Sequence, residues 1–366
     1  MRHNLLFVTD SLGLGGQEKQ LYYLLKNIQN KYNCTLVVWN SDANIKYQKS
    51  SKYSDEISDM NVELIKLDSS LSSLKKTLLL RKINKRVSAD LIISYSFYLS
   101  FYSWLASKFS KAKAIGSFRS QIVKSEKDIN KIFVYLCVLF PKYFISNNKN
   151  FNKGFAFNFI FKFKKVFIVP NGIDFTSIKY GYHEQGEYIN SISIGTLNPV
   201  KRVDLAIEVI KKLTENGFKI KHVHLGHGKL LEEYRQKINS YGLQNNFIFA
   251  GEVENVNEYL SNADIFLLTS DYEGFPNVIL EAMASGKSVV TTDAGDAGLI
   301  VKENETGFVC KTGDLDCLYK KIIVLMNNYD LRKSMSENSR KVVEENYSME
   351  NFVNKSITVF DSVIKD

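Results

Sequence analysis

The strongest candidate for chemistry is the segment of residues 271–286, DYEGFPNVILEAMASG, which follows a predicted strand and holds two glutamates. Glu273 lies on the predicted loop, and Pro276 is typical of a first helical turn. Glu281 follows inside the helix, which Gly286 ends. Carboxylates bind pairs of hydroxyl groups, and N–H groups at a helix N-terminus bind phosphate. The segment therefore predicts a site for a sugar diphosphate.

A second candidate is the glycine loop at residues 11–16, SLGLGG, after the first predicted strand. Successive glycines let the backbone approach a ligand closely, and the helix N-terminus behind them favours an anion. The loop does not complete G-x-G-x-x-G, because Glu18 occupies the place of the third glycine. A dinucleotide site is therefore weakly indicated, and a plain strand–helix turn is the alternative.

Strands and helices alternate along both halves of the chain, which predicts parallel sheets with helices on both faces. In such sheets ligands bind beyond the carboxyl ends of the strands, so both candidate loops are well placed. The predicted strands span residues 5–9, 34–39, 91–94, 114–117, 143–146, 166–169, 191–194, 222–225, 247–250, 265–268 and 289–292.

The pattern predicts an α/β chain of two doubly wound, Rossmann-like domains facing each other across a cleft. Periodicity lapses near residues 170–189, where three glycines cluster, so the domains are expected at residues 1–175 and 176–347. A last helix in residues 348–366 is expected to cross back to the first domain.

Charge is unevenly divided. The chain has 366 residues and a formal net charge of +9, but residues 1–175 carry a net of +15 and the remainder a net of −6. With 45% apolar residues, the composition excludes a wholly disordered chain. A basic first half fits nucleic acid, an anionic membrane or an anionic substrate. No recognised nucleic-acid module is present, so we expect no nucleic-acid partner.

Cysteine usage and hydropathy favour a reduced, cytoplasmic protein. The cysteines Cys34, Cys137, Cys310 and Cys317 form no C-x-x-C motif, and we expect them to be buried thiols. The first apolar run meets Asp10 at once and is interpreted as a strand rather than a signal peptide. No stretch approaches the roughly 18 apolar residues of a membrane span, so membrane contact is expected to be peripheral.

Glu273 and Glu281 form E-x7-E within EGFPNVILEAMASG, and here the chain resembles glycosyltransferase family 4, retaining enzymes of the GT-B fold. The resemblance runs through nearly all of residues 190–345 and is looser before them. Its further segments, in family order, are GGQEK, VPNGID, IGTLNPVKRVDLAI, LGHGKLLEEY, FAGEVENVNEYLSNADIFLLTS and ETGFVCKTGD.

The resemblance implies that Glu281 binds the ribose of a nucleotide, that Glu273 lies by the donor sugar, and that Lys201 pairs with the diphosphate. Glu273 and Lys201 are then the catalytic residues. No metal or other cofactor is expected if Lys201 and a helix terminus supply the charge that the leaving group needs. The other donor-binding residues implied are Gly15, Gly16, Thr196, Arg202, Gly226, Phe249, Val253, Gly274, Phe275, Pro276, Asn277 and Val278.

The sequence also departs from the family. Thr196 stands where the family has arginine after a glycine, so one phosphate partner is either missing or supplied by Arg202 or Arg119. The late loop at residues 293–300, DAGDAGLI, lacks the usual Pro-Glu. Residues 94–98, SYSFY, lack the histidine that many members carry in the first domain. The acceptor-side candidates are then Tyr95, Ser96 and Arg119.

Four further patterns have structural explanations, and the last two also fit a membrane-facing surface. His222, His224 and His227 have poor metal-ligand spacing and are interpreted as structural rather than zinc-binding. Asp314 opens a D-x-D pattern but is better explained as a helix N-cap. Within residues 151–169, Phe alternates with other residues from Phe155 to Phe163, which favours a half-buried strand or a membrane-facing rim. The basic pairs in the predicted helix 71–86 fit the same membrane face or an ordinary solvated one.

The resemblance therefore implies a retaining glycosyltransferase that moves a hexosyl or N-acetylhexosaminyl unit from a UDP-sugar, with the donor bound by the second domain and the acceptor by the first. The acceptor is expected to be a polyprenyl-diphosphate-linked glycan at the inner face of the cytoplasmic membrane. The pathway would be bacterial capsule, O-antigen (lipopolysaccharide) or related surface-polysaccharide synthesis. A sugar-nucleotide epimerase or phosphorylase of the same fold, or a non-catalytic scaffold that binds sugar nucleotides, are the alternatives.

Overall fold

Residues 2–13, 15–40, 52–119, 131–152, 158–181 and 186–366 are described by the computed structural model, and their strands form two parallel sheets. The chain divides into two units. Unit 1 consists of Met1–Gly172 together with Met349–Asp366, and unit 2 is Ile173–Ser348. The first division lies three residues before the position expected from the sequence, where Gly172 ends the first unit.

Unit 1 contains a seven-stranded sheet in the order β3-β2-β1-β4-β5-β6-β7, with every described pairing parallel. The order reverses between β1 and β4, which makes the sheet doubly wound. Its strands are β1 (Asn4–Thr9), β2 (Asn33–Val38), β3 (Val62–Lys66), β4 (Leu91–Ser94), β5 (Lys113–Phe118), β6 (Tyr143–Ser146) and β7 (Lys165–Ile168).

Helix α1 of unit 1 packs on this sheet because one of its faces is apolar. In α1, Leu21, Leu24, Leu25 and Ile28 recur at helical spacing and are buried. The helices are α1 (Gly16–Ile28), α2 (Lys52–Ser58), α3 (Ser73–Val87), α4 (Leu99–Ser107) and α5 (Lys131–Leu139), with α13 (Met349–Lys365) returning from the end of the described chain.

Helix α13 belongs to the core of unit 1. Phe352, Phe360 and Val363 are buried in one cluster with residues of β1, β2 and α1. Its C-terminal end is also held by polar contacts, since Lys113 Nζ donates to the carbonyl oxygens of Val363 and Ile364 at 3.0 Å each. The last residues thus complete the first unit.

Unit 2 contains a six-stranded parallel sheet in the order β10-β9-β8-β11-β12-β13, which reverses between β8 and β11. Its strands are β8 (Ile189–Ile194), β9 (Ile220–Leu225), β10 (Phe247–Gly251), β11 (Ile265–Leu268), β12 (Ser288–Thr292) and β13 (Gly307–Cys310). Its helices are α6 (Val203–Glu215), α7 (Leu231–Ser240), α8 (Val256–Ser261), α9 (Asn277–Ala284), α10 (Ala297–Ile300), α11 (Leu315–Asn327) and α12 (Tyr329–Asn346).

The predicted doubly wound α/β class is confirmed for both units, whereas strands β3 and β13 were not predicted and two local expectations were wrong. Strand β3 was not predicted because it is a partly exposed strand at the sheet edge with polar residues among its apolar ones. In the Phe-rich segment, Asn158–Phe163 forms a 3-10 helix instead of continuing a strand. The alternating residues Phe155 and Phe157 lie outside the described residues. Lys76, expected on a basic face, is buried and donates to Asn40 Oδ1 at 2.6 Å.

The expectation of four free thiols was also wrong. Cys310 and Cys317 form a disulfide, with 5.8 Å between their Cα atoms. They meet because Asp314 caps α11 by accepting a hydrogen bond from the Cys317 amide at 2.9 Å, which turns the chain back onto the end of β13. Cys34 and Cys137 are buried free thiols, as expected. None of the described helices combines the length and the hydropathy needed to cross a bilayer.

Candidate functional site

The loops that follow β8 and β11 lie side by side where the strand order of unit 2 reverses, the usual ligand position in such sheets. Their backbones are tied together. The Asp271 amide donates to the Val200 carbonyl at 2.9 Å, and Thr269 Oγ1 donates to the carbonyls of Lys201 and Arg202 at 3.1 and 2.8 Å. Two segments about 70 residues apart in the sequence therefore form one site.

Lys201 and Glu273, which the family resemblance assigns to one donor, meet in this site. Lys201 Nζ lies 2.6 Å from Glu273 Oε1, and the side chains are 25% and 10% exposed. Ser270 Oγ donates to the same carboxylate oxygen at 2.7 Å. Lys201 is positioned by Asn198, whose Oδ1 accepts from the Lys201 amide at 3.1 Å. A cation and a carboxylate are therefore held together beyond the carboxyl ends of β8 and β11.

Arg202 is engaged by carboxylates. Its Nε lies 3.1 and 3.2 Å from the two oxygens of Asp204, and its Nη1 lies 3.2 and 3.1 Å from those of Asp271. These hydrogen bonds, those with Asp204 first, raise the pKa of Arg202 above its ordinary value. A phosphate bound by Arg202 would have to compete with two aspartates. Thr196, in the same loop, is exposed.

The loop from Glu273 leads directly into α9. Pro276 is the N-cap of the helix, with no side-chain hydrogen bond to the cap, and Asn277 and Val278 form the first turn. Phe275 is buried and its ring centroid lies 6.0 Å from that of Tyr347, so this residue anchors the loop in the core. The helix N-terminus therefore follows within four residues of the glutamate. Glu281, in the second turn of α9, is partly buried.

Gly295 lies in the loop after β12 and supports the loop that contains Glu273. It was not singled out from the sequence. It has a φ of +62°, and a Cβ placed there would lie 2.2 Å from the Glu273 carbonyl oxygen. The next amide, of Asp296, donates to the Gly274 carbonyl at 3.2 Å. In the sequence, residues 293–300 stood out because they lack the carboxylate that the family usually has there. The structure shows that this loop supports the Glu273 backbone.

The residues predicted near the nucleotide base follow β9 and β10. Gly226 has a φ of +138°, and a Cβ there would lie 2.0 Å from the Gly195 carbonyl oxygen. The two loops therefore pack backbone against backbone. Phe249 is partly buried, with its ring 5.8 Å from that of His224. Val253, also partly buried, packs against the core cluster that contains Phe275.

The histidines of β9 form a buried hydrogen-bonded chain. His222 lies between Ser191 and Ser193, with both ring nitrogens 2.8 Å from hydroxyl oxygens. His224 Nδ1 lies 2.7 Å from Ser193 Oγ, and its Nε2 donates to the Gly195 carbonyl at 2.9 Å. Burial lowers the pKa of His222 to about 3 and that of His224 to about 4. Both are structural residues that support the β8 loop, which is the interpretation made from their spacing.

The D-x-D pattern is explained by two unrelated contacts. Asp314 caps α11, as predicted, and Asp316 pairs with Lys212 at 2.5 Å. Within the ranges that the structure describes, no group of three His, Cys, Asp or Glu side chains is arranged to hold a metal ion.

The predicted residues of unit 1 lie at the carboxyl ends of its strands. Helix α1 begins at Gly16, and its N-cap Gly15 makes no side-chain hydrogen bond. Both glycines are exposed, and burial raises the pKa of Glu18 in the first turn. Tyr95 follows β4 and is buried, while Ser96 is partly exposed.

Arg119 follows β5, next to Tyr95. Its guanidinium carbon lies 4.0 Å from the centroid of the Tyr95 ring, which is a cation–π distance. Tyr95 is linked in turn to α1, since Gln17 Nε2 donates to its carbonyl at 2.6 Å. The structure thus brings two of the acceptor-side candidates together beside the start of α1.

The sequence is similar to that of known proteins over about half of its length. Residues 175–342 match the family model described as "Glycosyl transferases group 1". The chain is 30% identical over 196 residues to N-acetyl-alpha-D-glucosaminyl L-malate synthase of Bacillus anthracis, covering 53% of this chain and 50% of that protein. It is 26% identical over 219 residues to the N-acetylgalactosamine-N,N'-diacetylbacillosaminyl-diphospho-undecaprenol 4-alpha-N-acetylgalactosaminyltransferase of Campylobacter jejuni, covering 58% of each.

A solved structure extends the likeness to the whole fold. HepE from Anabaena, crystallised in complex with UDP, matches with a TM-score of 0.82 at 18% identity, covering 99% of this chain and all of that one. In sequence, by contrast, the chain spans about half the length of the curated relatives it matches. Residues 175–342 are therefore similar to the glycosyl transferases of group 1, and the chain has the GT-B fold class of two parallel-sheet α/β domains.

Proposed function

We propose that this chain is a retaining glycosyltransferase that moves a hexosyl or N-acetylhexosaminyl unit from a UDP-sugar to a lipid-linked glycan. The observation that carries the proposal is the pairing of Lys201 with Glu273 at the reversal point of the unit 2 sheet. A cation there suits the diphosphate, and a carboxylate there suits sugar hydroxyl groups. Residues 175–342, which match the group 1 family model, contain both.

The leaving group of such a reaction is a nucleoside diphosphate, so charge develops on its phosphate oxygens as the glycosidic bond breaks. Lys201 and the N-terminus of α9 would stabilise that charge, since fixed donors need no reorganisation during the reaction. Glu281 would bind the ribose. We propose that no metal or other cofactor takes part, so transfer is expected to persist in EDTA.

The donor and acceptor classes are drawn from the relatives. HepE was crystallised with UDP, which supports a UDP-linked donor for this chain. The Campylobacter relative acts on a diphospho-undecaprenol-linked sugar, which supports a lipid-linked acceptor in surface-polysaccharide synthesis.

Apolar residues exposed on unit 1 support a location at the inner face of the cytoplasmic membrane. Helix α3 packs on α4, and α4 on α5. We name the apolar residues that are exposed on α3, after α4, on and after α5 and in the 3-10 helix Asn158–Phe163 the apolar face. The face consists of Leu74, Leu78, Phe109, Ile132, Leu139, Phe140, Phe159 and Phe163.

Cations accompany the apolar face. Phe109 is 94% exposed and lies beneath Arg81, with 5.2 Å between the guanidinium carbon and the ring centroid. Lys108 Nζ lies 4.4 Å from the centroid of the Trp104 ring, which stacks on Phe140. Exposed rings among cations fit the interface of an anionic bilayer, which attracts both.

The donor part of the proposal is tested by ligand binding and product analysis. UDP-, GDP- and ADP-sugars are screened by thermal shift, and UDP release without an acceptor is followed as slow donor hydrolysis. A shift with UDP-sugars and a product with the anomeric configuration of the donor are expected. Conversion of the donor to an isomer without an acceptor would indicate an epimerase. Binding without any UDP release would indicate a non-catalytic scaffold.

A further inference from the structure

Four neighbouring strands of unit 1 each deliver a buried or partly buried polar side chain at their carboxyl ends. Tyr95 follows β4, Arg119 follows β5, Asn147 follows β6 and Asn171 lies three residues beyond β7. They are in contact, since Asn147 Nδ2 donates to the Arg119 carbonyl and to Asn171 Oδ1, both at 3.4 Å. This row, which we name the polar row, borders the start of α1 through the hydrogen bond from Gln17 to Tyr95.

Several atoms of the polar row are buried without a hydrogen-bond partner. They are Arg119 Nε and Nη1, Tyr95 Oη and Asn147 Oδ1. No carboxylate of the described residues forms an ion pair with Arg119, and the Tyr95 ring at 4.0 Å is its cation–π partner. Burial lowers the pKa of Arg119 from its ordinary value and raises that of Tyr95. A buried guanidinium with unused donors is costly unless a ligand completes it.

The unused groups define the chemistry of a complementary ligand. Arginine offers a planar fork of donors, which matches the oxygen pairs of phosphate and carboxylate. Tyr95 Oη can donate to the same group, and Asn147 Oδ1 can accept from a hydroxyl. An anion that carries a neighbouring hydroxyl would satisfy all three residues.

We propose that Arg119 and Tyr95 form a subsite in unit 1 for the phosphate or carboxylate group of the acceptor. The assignment to the acceptor rests on the proposed function, whereas anion binding by Arg119 does not. Arg202, the other candidate for a phosphate partner, is bound by Asp204 and Asp271, so Arg119 is the arginine with unused donors.

Stability without ligand is the first test, using Arg119→Met, which keeps an unbranched apolar stem and removes the guanidinium charge. If Arg119 is a ligand-binding residue, the variant melts at the same temperature as the wild type or at a higher one. The reason is that the substitution removes a buried charge that has no partner in the free protein. The matched control is Arg86→Met, at an exposed arginine paired with Glu63 in the same unit. A lower melting temperature for Arg119→Met than for this control would identify a structural arginine and overturn the proposal.

Binding of inorganic phosphate is the second test, at constant ionic strength against chloride. Phosphate is expected to raise the melting temperature of the wild type and of Lys201→Ala, but not of Arg119→Met. Equal shifts in wild type and Arg119→Met, or loss of the shift in Lys201→Ala alone, would overturn the proposal. Because this readout needs neither donor nor transfer, its failure is distinguishable from failure of the proposed function.

Two further arms separate the sources of the anion. Arg119→Met is expected to bind phosphatidylglycerol vesicles as the wild type does, since the subsite serves the acceptor; loss of vesicle binding would assign Arg119 to lipid headgroups instead. In transfer assays the same variant should raise the KM for an anionic acceptor roughly 10- to 100-fold and leave the donor KM unchanged. Arg119→Lys should restore part of that affinity, because it keeps the charge but not the fork.

Discussion

Lys201 Nζ and Glu273 Oε1 are 2.6 Å apart, although one residue follows β8 and the other follows β11. The pair is mostly buried, and Ser270 donates to the same carboxylate oxygen. In the free protein each residue therefore compensates the charge of the other. A donor diphosphate that enters the site would compete with Glu273 for Lys201, which couples phosphate binding to release of the carboxylate for sugar hydroxyl groups.

Lys201→Ala and Glu273→Gln are each expected to lower the rate of sugar transfer by about 100-fold or more, because each removes a fixed partner of the donor. Initial rates of UDP release with acceptor present measure the effect. Lys302→Ala is the control, since it breaks an exposed ion pair with Glu305 in the same unit. Wild-type turnover in either site variant would refute the assignment.

Gly295→Ala is expected to reduce transfer by displacing the Glu273 loop. Its Cβ would lie 2.2 Å from the Glu273 carbonyl oxygen. Gly217→Ala introduces the same kind of backbone strain, at a φ of +80°, but meets nothing within 4 Å. Comparing transfer rates of the two variants at equal folded fraction separates support of the loop from strain alone. Equal activity in the two would contradict a supporting role.

The histidine chain predicts loss of stability in mild acid. The folded-state pKa values of His222 and His224, about 3 and about 4, lie below the ordinary value of 6.5, so the unfolded chain binds protons that the folded chain does not. Their contribution is present in full above pH 6.5. As the pH falls from 6.5 towards 4, the free energy of unfolding decreases by about 1.4 kcal/mol per pH unit for each histidine.

Urea unfolding at several pH values between 7.5 and 4.5 measures this dependence. His224→Gln should flatten the slope, whereas His227→Gln, at an exposed position, should leave it unchanged. An identical dependence of the unfolding free energy on pH in all three proteins would show that the buried histidines do not govern the acid sensitivity.

The Cys310–Cys317 disulfide predicts a specific alkylation pattern. Denatured, unreduced protein should take up two alkyl groups, on Cys34 and Cys137, and reduction should expose two more. Replacing both bonded cysteines by serine should lower the free energy of unfolding by about 2 kcal/mol, because the closed loop is short. Uptake of four groups without reduction would instead support the thiols expected from the sequence.

The apolar face predicts salt-sensitive binding to anionic vesicles. A double variant, Leu78→Ser with Phe109→Ser, should weaken sedimentation with phosphatidylglycerol vesicles, since it removes exposed apolar area without changing charge. Raising the salt concentration should release the wild type, because surface attraction is screened within about 8–10 Å. The control is Ile248→Ser, at an exposed apolar residue of unit 2. Binding unaffected by the double variant would refute the membrane face.

Local patterns predicted most strands because buried parallel strands are short, continuous apolar runs; β4 and β6 were predicted to the residue. Edge strand β3 lacks such a run and was missed. The pairing of Lys201 with Glu273 could be predicted, because the family resemblance assigns both residues to one ligand. The bonds from Arg202 to Asp204 and Asp271 were not, because they depend on a left-handed residue and on two loops that meet only in the folded sheet.

The disulfide and the contact of Gly295 with the Glu273 loop could not be predicted for the same reason. Each depends on the path of a loop, and the sequence indicates that path only through a glycine or a cap residue. Asp314 was correctly predicted as an N-cap, yet the consequence, that Cys317 is turned towards Cys310, required the register of β13.

Helix α13 gives the chain a nested order, with all of unit 2 inserted between two parts of unit 1. During synthesis, the first 172 residues leave the ribosome without Phe352, Phe360 and Val363, which fill their core. Unit 2 is continuous in sequence and can complete its own core as soon as it has emerged. The unit translated first therefore lacks part of its core until residues 349–366 have been made.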